Sequence, residues 1–323
     1  MDYLSLMDRV NLQPNPKAHK LIGELFLKPI YKLRKLNIVL EGLENIPDEP
    51  VVYVMNHTDR FNYFPFQYQL YLLRNKIKYP YTAPWVKLKY YESKFLTMIF
   101  NWGGCLPMPS KGYLIVKDLR EEFKNDKKLI AKYYPILKDY VDGKISDDVL
   151  AENENLKNFI NKYEDYRERV NSYFEKLMKR AFELCYDAVH NKHLNLLIFP
   201  EGTRSKRLLE GKVGAAQFSV ALKSPIVPVG CNGSDKAHTK NIPIVEKNKT
   251  VVYRIGEPIY LHKMEMFQNL EEFIPFTESA NKYYKLFKEG IDFVMKKLAD
   301  LLDEEYKPSG ETVGRDLSKF ILK

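Results

Sequence analysis

Short apolar runs alternate with helically spaced apolar positions along most of this chain, and the alternation predicts an α/β fold: a mixed sheet flanked by helices. Strand-like runs fall at 37–40, 51–55, 78–83, 194–199, 226–230 and 250–255. The run Leu194-Asn195-Leu196-Leu197-Ile198-Phe199 is almost wholly apolar, as expected of a strand buried on both faces. Between residues 17 and 36, Leu21, Ile22, Leu25, Phe26, Ile30, Leu33 and Leu36 recur at near-helical spacing among Lys17, Lys20, Lys28, Lys32, Arg34 and Lys35. This predicts a basic amphipathic helix or helix pair broken near Pro29, its apolar stripe turned either to an anionic membrane surface or to the body of the domain. A charged, Tyr-rich stretch at about 113–190 carries Leu150, Leu156, Phe159, Ile160, Tyr163 and Tyr166 at helical intervals and reads as a helical insertion, a brace in preference to a lid. A further amphipathic helix is expected at 279–305. The expected organisation is an N-terminal basic amphipathic segment at 1–36, a main domain at 37–306 and a loose tail at 307–323.

At 323 residues and 45% hydrophobic composition, the chain is long enough to bury a full core. Its 51 Lys and Arg against 42 Asp and Glu give a net charge of +9, which favours anionic partners. An anionic bilayer fits that charge. Nucleic acid is not expected, because no Arg-rich stripe, zinc-finger spacing or RNA-recognition signature accompanies it. Cys105, Cys185 and Cys231 are far apart and odd in number, which predicts a reducing compartment without a disulfide framework. The start, Met1 to Asp8, lacks the basic and apolar regions of a secretory signal, and no run of about 18 apolar residues occurs. These features predict a peripheral protein at the cytoplasmic face of a membrane. His190 and His193 suit one helix face but bring no further ligands, so neither a metal nor another cofactor is expected.

The densest chemistry lies in Phe199-Pro200-Glu201-Gly202-Thr203-Arg204-Ser205. Pro200 stops a strand, Gly202 permits a tight turn, and Arg204 offers a planar fork of donors suited to phosphate or carboxylate. The segment resembles the Glu-Gly-Thr-Arg motif of the glycerolipid acyltransferases, the family of lysophosphatidic acid and glycerol-3-phosphate acyltransferases. Three further blocks carry the resemblance in order: Val51-Val52-Tyr53-Val54-Met55-Asn56-His57 with Asn62 five positions on, Gly211-Lys212-Val213-Gly214-Ala215-Ala216, and Pro225-Ile226-Val227-Pro228-Val229. Together they cover roughly residues 40–115 and 190–260.

The resemblance implies an α/β acyltransferase fold. It also implies transfer of a fatty acyl group from acyl-CoA or acyl carrier protein to the free hydroxyl of a lysophospholipid, above all 1-acylglycerol 3-phosphate, giving phosphatidic acid. His57 would be the general base, since a neutral imidazole accepts a hydroxyl proton near pH 7. Asn62 stands where the family has Asp; an amide orients the ring but adds no charge. Either Asn62 orients His57, or Asp59 supplies the carboxylate. Arg204, with Gly202, Thr203 and Lys212 beside it, would bind the acceptor's phosphate, and Glu201 would orient Arg204 or hydrogen-bond an acceptor hydroxyl. A further family block, Gly followed by an apolar pair and Arg, is approximated by Gly104-Cys105-Leu106-Pro107-Met108-Pro109-Ser110-Lys111, with Lys111 replacing the Arg. Trp85, Phe95, Met98, Phe100 and Trp102 surround this block, either as an acyl groove or as ordinary core. Two alternatives stand beside this reading. One is an acyltransferase for another lysolipid or an amino-lipid hydroxyl, prompted by Ser110. The other is a non-catalytic lipid-binding protein on the same scaffold, prompted by Asn62.

Overall fold

A computed structural model describes residues 2–151, 153–240 and 242–309. Seven strands form one mixed sheet: β1 (Asn37–Glu41), β2 (Val52–Met55), β3 (Thr82–Lys87), β4 (Leu106–Met108), β5 (Asn195–Ile198), β6 (Ile226–Asn232) and β7 (Thr250–Ile255). Their spatial order is β1-β7-β6-β2-β5-β3-β4, and every neighbouring pair is parallel except β6 with β7. Helices cover both faces, which is why the central strands read as unbroken apolar runs. In β2, Val52 and Val54 point into one core while Tyr53 and Met55 point into the other. The first core holds the apolar faces of the Lys111–Glu122, Lys127–Val141 and Tyr166–Tyr186 helices, so the 113–190 stretch shares the main hydrophobic core. The second packs the Tyr63–Leu72 helix through Phe66 and Leu70.

Register positions the site. Parallel β2 and β5 are direct neighbours, with Val52 opposite Leu196 and Val54 opposite Ile198. Both strands therefore end at the same sheet edge, and the loops that leave them meet there, although His57 and Glu201 are 144 positions apart in the chain.

Two expectations are corrected, and two elements had not been anticipated. The strand expected at 78–83 is Thr82–Lys87; the residues before it are tied to the start of β5, where Asn195 Nδ2 donates to the carbonyls of Tyr79 (2.6 Å) and Tyr81 (3.1 Å). β4 escapes the apolar pattern because it is a three-residue edge strand with Pro107 at its centre. The helix at 17–34 is not broken at Pro29: a π-helical turn at Gly23–Leu27 leads straight into Lys28–Arg34, and the widened turn accommodates the proline ring and its missing N–H. Ahead of that helix, Tyr3–Met7 forms a separate short helix with Tyr3, Leu6 and Met7 in the main core. Most of the tail expected at 307–323 lies outside the described residues. Among the described residues, no helix is long and apolar enough to cross a membrane.

Candidate active site

His57 leaves β2 half-buried and is fixed on three sides. Its ring stacks on Phe199 at 3.9 Å between centroids with the planes 16° apart. Its Nδ1 lies 3.3 Å from Asn62 Oδ1. Its backbone N–H donates to Glu201 Oε1 at 2.7 Å, and its carbonyl accepts from Ser205 N at 2.9 Å. The two motif loops are thus zipped together through the backbone of His57.

Asn62 has the geometry of an orienting partner. It is fully buried, its Nδ2 donates to the Asn56 carbonyl at 2.7 Å, and its own carbonyl accepts from Tyr253 Oη at 2.5 Å. With the amide nitrogen spent on a carbonyl, Oδ1 is left facing the imidazole, which sets Nδ1 as the protonated nitrogen and Nε2 as the unprotonated one. Asp59 turns another way. Its Oδ1 accepts from Phe61 N at 2.8 Å, its Oδ2 accepts from Thr58 Oγ1 at 3.1 Å, and Oδ1 lies 3.8 Å from His238 Nδ1.

Glu201 does not pair with Arg204. Its carboxylate is buried and holds two backbone N–H groups, those of His57 and, at 3.0 Å, Leu209. Burial pushes its pKa up to about 7, against the opposing pull of those two donors. Arg204 is exposed, and among the described residues no hydrogen bond or ion pair engages its guanidinium. Gly202 sits at φ +66°, and a Cβ there would fall 2.7 Å from Lys212 Nζ, so the lysine lies directly across the turn. Thr203 completes the same turn. The structure therefore brings His57, Asn62, Glu201, Gly202, Thr203, Arg204 and Lys212 to one sheet edge.

Lys111 points elsewhere. It opens the Lys111–Glu122 helix with its ammonium 5.4 Å from the Phe174 ring centroid, and burial lowers its pKa. Its charged neighbours, Asp142, Lys138 and Glu175, belong to the insertion. Of the five residues considered for an acyl groove, Trp85 packs on Phe218 at 4.7 Å in the core, and Phe95, Met98 and Trp102 are exposed. Phe100 does line a cavity of about 110 Å³. The other walls include Ile22 and Leu27 of the N-terminal helix, with Tyr63 and Phe64 of the helix that follows His57. Tyr63 also lies 6.2 Å from Phe199, so one aromatic wall runs from the cavity to the ring that carries His57. Leu25, Phe26 and Leu33 stand outside this packing; at 77% exposure Leu33 has no core to face. Among the described residues no cluster of three or more His, Cys, Asp or Glu is placed to hold a metal ion, and His190 Nε2 lies 3.0 Å from the Leu222 carbonyl.

Phe199, Tyr63 and Tyr253 were missed as site residues. Phe199 looks like the end of an apolar strand, and Tyr253 reaches Asn62 across 191 positions, so neither carries a local signal.

Residues 159–232 match the family model described as Acyltransferase, a span that contains the Phe199–Ser205 motif and begins beyond His57. Over that span the chain is similar to the acyltransferases. A 1-acyl-sn-glycerol-3-phosphate acyltransferase of Cocos nucifera is 48% identical over 56 residues, 17% of this chain and 18% of that relative, so the match spans under a fifth of the curated protein. Among solved structures, the 1-acyl-sn-glycerophosphate (LPA) acyltransferase PlsC from Thermotoga maritima aligns over 87% of this chain and 79% of its own, with 16% identity and a TM-score of 0.43.

Proposed function

We propose that this chain moves a fatty acyl group from the thioester of acyl-CoA or acyl carrier protein to the free hydroxyl of 1-acylglycerol 3-phosphate, giving phosphatidic acid. The observation that carries this reading is the imidazole of His57, held by Phe199 and Asn62 beside a turn that presents an unengaged Arg204. The acceptor hydroxyl would give its proton to His57 Nε2 as its oxygen attacks the thioester carbonyl. The tetrahedral intermediate then collapses, expelling the thiolate, which takes the proton from the imidazolium. Arg204 and Lys212 would hold the acceptor phosphate. The cavity behind Tyr63 suits part of an acyl chain, each buried CH₂ stabilising by about 0.8 kcal/mol.

Arg204 is exposed and has no hydrogen bond or ion pair among the described residues, so its replacement should act on binding and spare the fold. Arg204→Ala is expected to raise KM for 1-acylglycerol 3-phosphate by about 10- to 100-fold, the loss of one charge-assisted contact of about 1.5–3 kcal/mol. The comparison is a phosphate-free lysolipid hydroxyl, whose KM should not move. An unchanged KM for the phosphate-bearing acceptor would refute the phosphate role.

The exposed Leu25, Phe26 and Leu33 lie on a helix with Lys17, Lys20, Lys28 and Lys32, which supports peripheral docking on an anionic bilayer. Phe26→Asp with Leu33→Asp is expected to weaken sedimentation with phosphatidylglycerol vesicles at least about 10-fold, since both apolar burial and net charge are lost. Equal binding by the double variant and the parent chain would place the docking surface elsewhere.

A further inference from the structure

Behind the His57 loop lies a second histidine that the acyl-transfer reading does not use. His238 ends the short Ser234–Ala237 helix and is buried, as is Asp59. Its Nδ1 is 3.8 Å from Asp59 Oδ1, 3.1 Å from Ser234 Oγ and 3.3 Å from the Ser234 carbonyl. The Ser234 carbonyl can only accept, so the proton sits on Nδ1 and is directed at it, with the Asp59 carboxylate in contact beside it. The ring also packs at 5.9 Å on Phe61, the residue whose N–H Asp59 caps. Asp59 thereby closes a short turn that returns the chain to Asn62, and His238 packs against that turn through Phe61 and the Asp59 carboxylate.

The pair matters because Asn62 is neutral. An imidazolium forming at His57 gains no charge stabilisation from an amide at Nδ1; Glu201, whose Oε1 accepts the His57 N–H at 2.7 Å, is pushed by burial up to about 7 and is only partly ionised near neutral pH, whereas Asp59 stands two residues away on the same loop. Its other titratable neighbours are Tyr31 of the N-terminal helix, Cys231 of β6 and Tyr253 of β7. Burial pushes all three upward, so they stay neutral near pH 7 and add no negative charge of their own beside Asp59. Burial also lowers the pKa of His238, against the pull of Asp59 and the Ser234 carbonyl, which keeps that ring neutral at the same pH.

We propose that Asp59, seated by His238, is a positioning pair that holds the 57–62 turn and supplies from behind it the negative charge that Asn62 does not bring to His57. The proposal rests on the reading of His57 as the general base. A carboxylate near His57 raises the basicity of its ring; removing the charge lowers it, so the acid limb of the rate profile should move to lower pH.

The test is kcat and KM against pH for the full chain, with 1-acylglycerol 3-phosphate and an acyl-CoA. Asp59→Asn keeps an oxygen for the Phe61 N–H and is expected to lower kcat about 10-fold, leave KM within about twofold and shift the acid limb down. Adding Asn62→Asp should return kcat to within about threefold of the parent, a rescue that a purely structural Asp59 would not give. His238→Asn should lower kcat several-fold with KM unchanged. The inference is overturned by an unchanged profile for Asp59→Asn, or by a folded double variant no faster than Asp59→Asn. Should Asp59→Asn not fold, the decision passes to His238→Asn with and without Asn62→Asp: rescue supports the pair, and its absence overturns it. His57→Ala, run in parallel, separates the two claims, because surviving turnover there defeats the base assignment itself.

Discussion

Replacing His57 by alanine is expected to lower kcat about 10³-fold, the middle of the ~10²–10⁴ range for a positioned base. No second imidazole can take its place at the reacting face, since His238 is buried behind Asp59. KM for the acceptor should change little, because the proposed phosphate contacts lie on the 199–205 turn and not on His57. The fold should survive. His57 is half-buried, and losing its stack on Phe199 removes about 1 kcal/mol, a shift of a few degrees in Tm. Steady-state rates and a melting curve on the same preparation check both parts; turnover within tenfold of the parent would contradict the assignment.

Glu201→Ala should have the largest effect on stability. The substitution strands the N–H groups of His57 and Leu209 in a buried setting, at about 1–3 kcal/mol each, so a loss of about 2–5 kcal/mol is expected. Turnover should fall as well, because the anchor of the His57 backbone goes with it. The pH dependence has a definite sign. With the carboxyl raised to about 7 in the folded chain from 4.5, the folded state binds the proton more tightly. Stability from this group is therefore full below about pH 4.5 and is lost as pH rises through about 7, by up to about 3 kcal/mol. Urea denaturation across that window should show the decline in the parent chain and a flatter course for Glu201→Gln. Identical slopes would mean that Glu201 is ionised in both states.

Much of the sheet was legible because its strands are buried on both faces and appear as apolar runs: 51–55 and 194–199 fall almost where β2 and β5 lie. β4 was not, because three edge residues around Pro107 carry no periodicity. The helix through Pro29 was misjudged for a local reason, since a π-turn leaves no trace in residue type. The site shows the same division. His57, Asn62 and Arg204 announce themselves by motif, but the partner of Glu201 depends on how the 199–209 loop turns back, and that is settled by strand adjacency. Lys111 fits the motif spacing, yet helix geometry turns its ammonium to Phe174. The surroundings of Asn62 and Asp59 include Tyr253 and His238, which reach the loop from far along the chain and leave no local signal.

The most direct measurement is mass-spectrometric detection of acyl transfer by the purified chain, with 1-acylglycerol 3-phosphate as acceptor and acyl-CoA and acyl carrier protein thioesters as donors. Phosphatidic acid should accumulate with at least one donor and fall to near background with His57→Ala. Absence of acyl ester on every lysophospholipid and glycerol phosphate tried, with either donor, would contradict the account and leave a lipid-binding protein on an acyltransferase scaffold.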